Sequence, residues 1–156
     1  MNATHSALVV AGRSADSPGL VAKLAELHRG DSPPTFTLLV PAVPHGFAWA
    51  TDMNSGWSEA LARAKRAARQ FRAAGLELEE TIVGDPDPYA AVGDVLHIRE
   101  FDELIVATLP RGVSTWLKIG LPGRLRRLTD LPITQIGVDR RARSRETERQ
   151  LAAALS

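Results

Sequence analysis

Short apolar runs rich in β-branched residues alternate along this chain with stretches whose apolar positions recur at helical spacing. Residues 7–12, ALVVAG, form a continuous apolar run with turn residues behind it, the pattern of a strand covered on both faces. Ser17 and Pro18 then open a helix as cap and first-turn residue, with Leu20, Val21, Leu24 and the Leu27/His28 pair on one face. A second strand is predicted over residues 35–43, TFTLLVPAV, ending near Pro41 because proline cannot serve a central ladder. Residues 44–57, PHGFAWATDMNSGW, show no clear period and read as a loop flanked by Trp49 and Trp57. Over residues 58–74 the pattern is strongly helical. Leu61, Ala64, Ala67, Ala68 and Phe71 face inward there, while Arg63, Lys65, Arg66, Arg69 and Arg72 ride on solvated flanks until Gly75 stops the helix.

Residues 76–84, LELEETIVG, alternate before turning apolar and predict a third strand towards a sheet edge. Asp87 and Pro88 suit the cap and first turn of a helix that buries Ala91, Val92, Val95 and Leu96, with Ile98 as a further candidate. Residues 102–109, DELIVATL, make a fourth strand. Leu121, Leu125 and Leu128 suggest a short helix opened near Pro122, and residues 132–138, PITQIGV, a fifth strand. Alternating strands and helices of this kind predict an α/β fold, a parallel sheet with helices on both faces. Residues 140–156, RRARSRETERQLAAALS, form a charged tail, read either as a helix with Leu151 and Leu155 four apart or as a frayed end.

With 156 residues and 44% hydrophobic content, the chain supports one sizeable core and is too short for two ordinary domains, so one domain is expected over residues 1–139. A formal net charge of +1 gives no global attraction to nucleic acid or an anionic membrane, and any electrostatic role must come from local clusters. The absence of cysteine excludes disulfides, thiolate metal sites and cysteine nucleophiles. The opening MNATHSALVVAG has no basic leader segment and only a short apolar run, so a soluble cytoplasmic protein is the expectation, with neither membrane nor nucleic acid as a partner.

The turn after the first strand, AGRSADSPG, lacks both the Gly-x-x-Gly continuation of a dinucleotide fingerprint and the Lys-Ser/Thr pair of a phosphate loop. His5, His28, His45 and His97 include no close pair, so no metal site is expected; His28 and His97 are placed at helix surfaces and His5 in a flexible start. GVST at residues 112–115 does not supply a nucleophile elbow. Asp85 and Asp87, two carboxylates two residues apart, fit a turn and helix cap better than acid–base catalysis, and no catalytic residue is assigned. The segment 107–127, ATLPRGVSTWLKIGLPGRLRR, carries five basic residues and no acidic one. Arg111, Lys118, Arg124, Arg126 and Arg127 follow a central strand, where open α/β sheets place ligands, although a solvated helix face explains them equally well.

Taken in order, ALVVAGRSADS, IVGDPDPYAAV, DELIVATLPRG and LTDLPITQIGV resemble the segments of the universal stress protein family over about nine tenths of the chain, a usual domain span. The resemblance implies a five-stranded parallel sheet of order 3-2-1-4-5 and a homodimer joined near the last strand, residues 133–138. It also implies a nucleotide site. The family's Gly-x2-Gly-x9-Gly-(Ser/Thr) element falls on Ala107, Pro110, Gly120 and Leu121, so that only Gly120 matches. Pro110 removes an N–H and Leu121 a hydroxyl that would serve a phosphate. The adenine-side aspartate falls on Gly12 and the next glycine on Arg13, with Ser14 retained. The positions carried over for cofactor binding are therefore Gly12, Arg13, Ser14, Val40, Ala107, Pro110, Arg111, Gly112, Gly120 and Leu121. Three readings follow. The first is a non-catalytic regulatory or stress-response domain that is not a conventional ATP binder and holds no cofactor. The second is a module holding ATP, another nucleotide or a small anion through Arg13, Ser14, Arg111, Gly112 and Gly120, a reading opposed by a pocket plugged by Pro110, Leu121 or Trp116. The third is an adenine-nucleotide-dependent transferase, for which metal-binding carboxylates are missing. An unidentified protein partner completes the expectations.

Overall fold

The computed structural model describes residues 4–28, 30, 32–42, 53–109, 115–138 and 152–154. Five strands, β1 (Ser6–Ala11), β2 (Thr35–Pro41), β3 (Glu77–Gly84), β4 (Glu103–Thr108) and β5 (Ile133–Gly137), form one sheet of order β3-β2-β1-β4-β5. Every neighbouring pair is parallel. The helices are α1 (Pro18–Leu27), α2 (Met53–Ala73), α3 (Pro88–Ile98), the short α4 (Thr115–Lys118) and α5 (Leu121–Leu128).

Side-chain alternation along the strands divides the core into two layers. Val9, Ala11, Leu38, Val40 and Ile105 point to one face, where Leu20 and Leu24 of α1 and Ala60, Ala64, Ala67 and Phe71 of α2 cover them. Leu8, Val10, Leu39, Leu104 and Val106 point to the other, under Ala91, Val92 and Val95 of α3 and Leu121 and Leu125 of α5. Both faces of β1 and β4 are thus dry, as their continuous apolar sequences require.

Several local features follow from single residues. Pro41 completes β2 without loss of a ladder bond: the Ala42 N–H, one residue on, donates to Gly84 O of β3, which turns position 41 towards β1, whose pairing with β2 stops at Leu39. At the opposite side of β2, the register jumps from Phe36↔Leu78 to Thr37↔Glu80. The bulge leaves Glu79 and Glu80 both exposed on the free edge of β3, where Arg99 pairs with each of them. Charge and irregularity protect this edge against further strand addition. Gly75 ends α2 at φ +79°, a left-handed conformation open to glycine at little cost.

Gly84 is required for another reason. A Cβ there would lie 3.0 Å from both Ala91 Cβ and Leu39 Cδ1, so its absence lets α3 close onto the sheet. Gly84→Val is expected to lower stability by about 1–3 kcal/mol through overpacking. Denaturant unfolding measures this, and a change within experimental error would show that α3 simply moves aside.

Several expectations need correction. Helix α2 starts at Met53, not at residue 58, because the aperiodic composition of its first turns hides a helix that runs beyond the sheet. Its 21 residues span roughly 31 Å against roughly 20 Å for a six-residue strand. The inward stripe is Ala60, Ala64, Ala67 and Phe71, so Leu61 lies one residue round the helix and is exposed, whereas Arg63 is buried instead of solvated. Ile98, at the end of α3, is also exposed. His28, expected at a helix surface, instead takes the inward position of the Leu27/His28 pair: its Nδ1–H donates to Leu24 O at 2.9 Å, its Nε2 lies 2.8 Å from Glu103 Oε1, and its ring meets Phe36 edge-on. Of the tail, residues 152–154 are helical and the remainder lies outside the described residues, as do His45 and Trp49.

Candidate functional site

The C-terminal ends of β1 and β4 diverge towards helices on opposite faces, which makes a crevice between them the natural ligand position in an open parallel sheet. Its β1 side is the turn 12–17. Ala15 N–H bonds to Gly12 O and Ser17 N–H to Ser14 O, winding the turn tightly before Pro18 starts α1. Ser17 holds the N-cap position without a side-chain cap bond, in contrast to the capping expected of it. Ser14 is buried and its hydroxyl donates across the sheet to Ala107 O at 3.4 Å. Arg13 points to solvent. Asp16 turns the other way, to α2, where its Oδ2 accepts from Arg66 Nε at 3.0 Å, its Oδ1 lies 3.7 Å from Arg63 Nε, and its carbonyl accepts from Gln70 Nε2.

Trp116, on α4, lies over the backbone of Gly12. A Cβ built on Gly12 would approach Trp116 Cζ2 to 3.2 Å and Cη2 to 3.6 Å, so the bare glycine and the indole are mutually adapted. The ring also packs against the core layer beneath α3 and α5.

The remaining positions divide cleanly. Val40 and Ala107 are core residues at the strand ends. Gly120 is exposed at the N-cap of α5 with φ +67°; its N–H donates to Leu117 O at 3.2 Å and its carbonyl accepts from Arg124 N–H. The glycine there is explained by backbone conformation. Leu121 is fully buried against the core layer of Leu8, Val10 and Val106. Pro110, Arg111 and Gly112 lie outside the described residues. Arg124 does not reach towards a ligand: its guanidinium stacks on the Tyr89 ring of α3 at 4.6 Å. Arg126, Arg127 and Lys118 are exposed. Asp87 caps α3 by accepting from Tyr89 N–H, and Asp85 accepts from Asp87 N–H, which accounts for this carboxylate pair structurally.

The strand order and helix placement have counterparts among solved structures. A universal stress protein crystallised with cAMP superposes with a TM-score of 0.55 at 17% identity, covering 88% of this chain and 99% of its own. The fold is that of the universal stress proteins. One from Arabidopsis thaliana with AMP bound superposes at 0.58 with 16% identity over 86% of this chain and 92% of its own. A third, from Archaeoglobus fulgidus, superposes at 0.56 with 14% identity, over 85% and 93%. No family model matches the chain, and no curated protein matches it. The universal-stress-protein architecture is therefore shared at a sequence identity of 14–17%.

Within this universal-stress-protein fold, the described half of the crevice does not fit a nucleotide cradled by the family's glycine element. The Gly120 N–H and the Ser14 hydroxyl are already engaged, the Leu121 position has an apolar side chain turned into the core, and an indole covers Gly12. Among the described residues, no group of three or more His, Asp or Glu side chains is placed to hold a metal ion, and no helix is long and apolar enough to cross a membrane. Sequence reasoning named Trp116 as a residue that could plug the pocket but missed its contact with Gly12, and it missed the Asp16–Arg63–Arg66 cluster. Each joins residues 47 or more positions apart, and neither has a periodic signature.

Proposed function

We propose that this chain is a non-catalytic regulatory domain with the universal stress protein fold, one that does not hold ATP in the manner of nucleotide-binding relatives. The observation that supports this reading most directly is the Trp116 ring against Gly12. A base or ribose approaching the end of β1 meets an indole where the resemblance implies an aspartate. The engaged Gly120 N–H and the buried Leu121 remove two further phosphate contacts. Fold alone does not dictate activity, so the weight rests on these residues. Within this reading the protein acts in the cytoplasm, in a stress response, through protein contacts.

The proposal includes a homodimer through the free edge of β5. The ITQIG sequence of β5 carries no charged residue, whereas the opposite edge carries Glu77, Glu79, Glu80 and a bulge. An uncharged edge is suited to pairing with a second copy.

Calorimetric titration of nucleotide-stripped protein with ATP, ADP and AMP, with the mass in solution recorded alongside, tests the proposal. No saturable heat is expected, with a mass twice the 16.8 kDa of the chain. Saturable ATP binding would overturn it and favour the second reading, a variant cradle in which Arg13 and Arg111 replace lost backbone contacts by charge. The solved neighbours with cAMP and AMP make that the reading to exclude first.

A further inference from the structure

A second concave site lies on the outer half of the sheet's C-terminal edge, away from β1 and β4. It is a groove of about 450 Å³ at the ends of β2 and β3, between the overhanging first turns of α2 and the flank of α3. Ile82, Val83 and Val95 give it an apolar wall, and Trp57 and Ile98 stand at its margin. Those two large side chains are 48% and 76% exposed, and Leu61, one turn along α2 from Trp57, adds a further 41% exposed apolar side chain beside them. An isolated exposed apolar residue needs no explanation, but two that line one groove, with a third a helical turn from Trp57, mark an interaction site.

The polar groups decide what fits. Asp85 and Asp94 are the charged side chains among the lining residues, and no described lining residue is basic. Asp85 uses one oxygen to accept the Asp87 N–H at 2.9 Å. Asp94 is exposed on α3 beside Ala91 and Val95. The nearest cation in sequence to Ile98, Arg99, is already committed to Glu79 and Glu80 and lies over the Phe101 ring. The groove therefore combines an apolar wall, an exposed indole and two carboxylates, with no neutralising cation among its described lining residues. An aromatic face and a carboxylate both favour positive charge.

We propose that this groove binds a small organic cation with an apolar body, of the aryl- or alkylammonium class. The hydrocarbon part covers Ile82, Val83, Val95 and Ile98, and the ammonium group lies between Trp57 and Asp94, with Asp85 adding to the negative field. The volume is that of a small-molecule site, and none of the described lining residues belongs to β1, β4 or the turn 12–17, so this binding is independent of the nucleotide question above.

The test is an amide NMR titration of the full chain with three probes of one shape: 4-phenylbutylammonium, 4-phenylbutanol and 4-phenylbutanoate. The ammonium probe is expected to shift the amides of Ile82, Val83, Asp85 and Val95, to bind about fivefold or more tightly than the alcohol, and to weaken as salt is raised. Asp94→Asn, an exposed substitution that leaves the Asp85 turn intact, and Trp57→Leu should each weaken it by about fivefold. Equal binding of all three probes would reduce the groove to a plain apolar patch and overturn the proposal. So would an absence of shifts at millimolar ammonium probe, shifts centred on Trp116, unchanged affinity in both variants, or displacement of the probe by AMP. Protection of these same amides in a dimer would assign the groove to a second copy of the chain and overturn it as well.

Discussion

Phe71→Ala is expected to lower the unfolding free energy by about 3–5 kcal/mol, a large part of the roughly 5–15 kcal/mol that holds a domain of this size together. Phe71 is fully buried on the α2 face, and its ring meets Phe36 of β2 edge-on, with centroids 6.0 Å apart. Phe36 in turn meets His28 at the end of α1, at 5.3 Å. The three rings tie α1, β2 and α2 into one stack, each pair in the edge-to-face geometry that aromatic quadrupoles favour. The rest of the α2 stripe is Ala60, Ala64 and Ala67, so no neighbouring large side chain of that stripe can swing in to fill the void. The melting temperature should fall by roughly 6–20 °C for a chain of this length. Circular dichroism melts of the wild type, Phe71→Ala and the milder Phe71→Leu measure it. A loss below about 1 kcal/mol for Phe71→Ala would mean that α2 collapses onto the sheet and that the stack is dispensable.

The second large effect concerns charge. Asp16→Ala is expected to destabilise the fold by about 2–4 kcal/mol. The substitution removes the acceptor of the Arg66 hydrogen bond and leaves the Arg63 guanidinium, 9% exposed, with its counter-charge reduced to Glu59 at 3.7 Å. Among the described residues, Arg63 Nε and Asp16 Oδ1 are both buried without a hydrogen-bond partner, so the pair already relies on charge attraction across 3.7 Å. Removing the cation as well reverses the logic. Arg63→Leu eliminates the buried charge, and the double substitution should be less damaging than the sum of its parts by about 1–3 kcal/mol. Urea unfolding of the four proteins in this cycle measures the coupling. Strict additivity would show that the Asp16 carboxylate is not coupled to Arg63 and acts through Arg66 instead.

The contrast between these residues shows what periodicity in a sequence reveals. The strands of the buried centre are legible because both faces must be apolar: ALVVA and ELIVAT admit no other environment. The order of segments then carried the topology, including the 3-2-1-4-5 sheet. The start of α2 was illegible because MNSGW shows no helical period of apolar residues, although its backbone is helical from Met53. Arg63 was illegible as a buried residue because its burial depends on Asp16, 47 positions earlier. The positions of the candidate site were legible as places, but their use was not. Gly120 remains glycine on account of a left-handed backbone, and Ser14 spends its hydroxyl on Ala107 O. Trp116 reads in the sequence as one of three residues that could plug the pocket, and the structure sets its ring against Gly12 at the end of β1.

The contact between Gly12 and Trp116 also sets the order in which the crevice can change. Any side chain added at position 12 meets the indole at its first carbon, 3.2 Å away, before a carboxylate further out could reach a base. An aspartate introduced there alone requires the indole to give way by a few tenths of an ångström. Trp116→Ala alone empties the cover and leaves no group to read what enters. The two substitutions are therefore each unrewarded singly and useful only together, with the aromatic required to leave first. Such a pair ties two positions far apart in the chain into one unit, so that either is replaced freely only when the other changes with it.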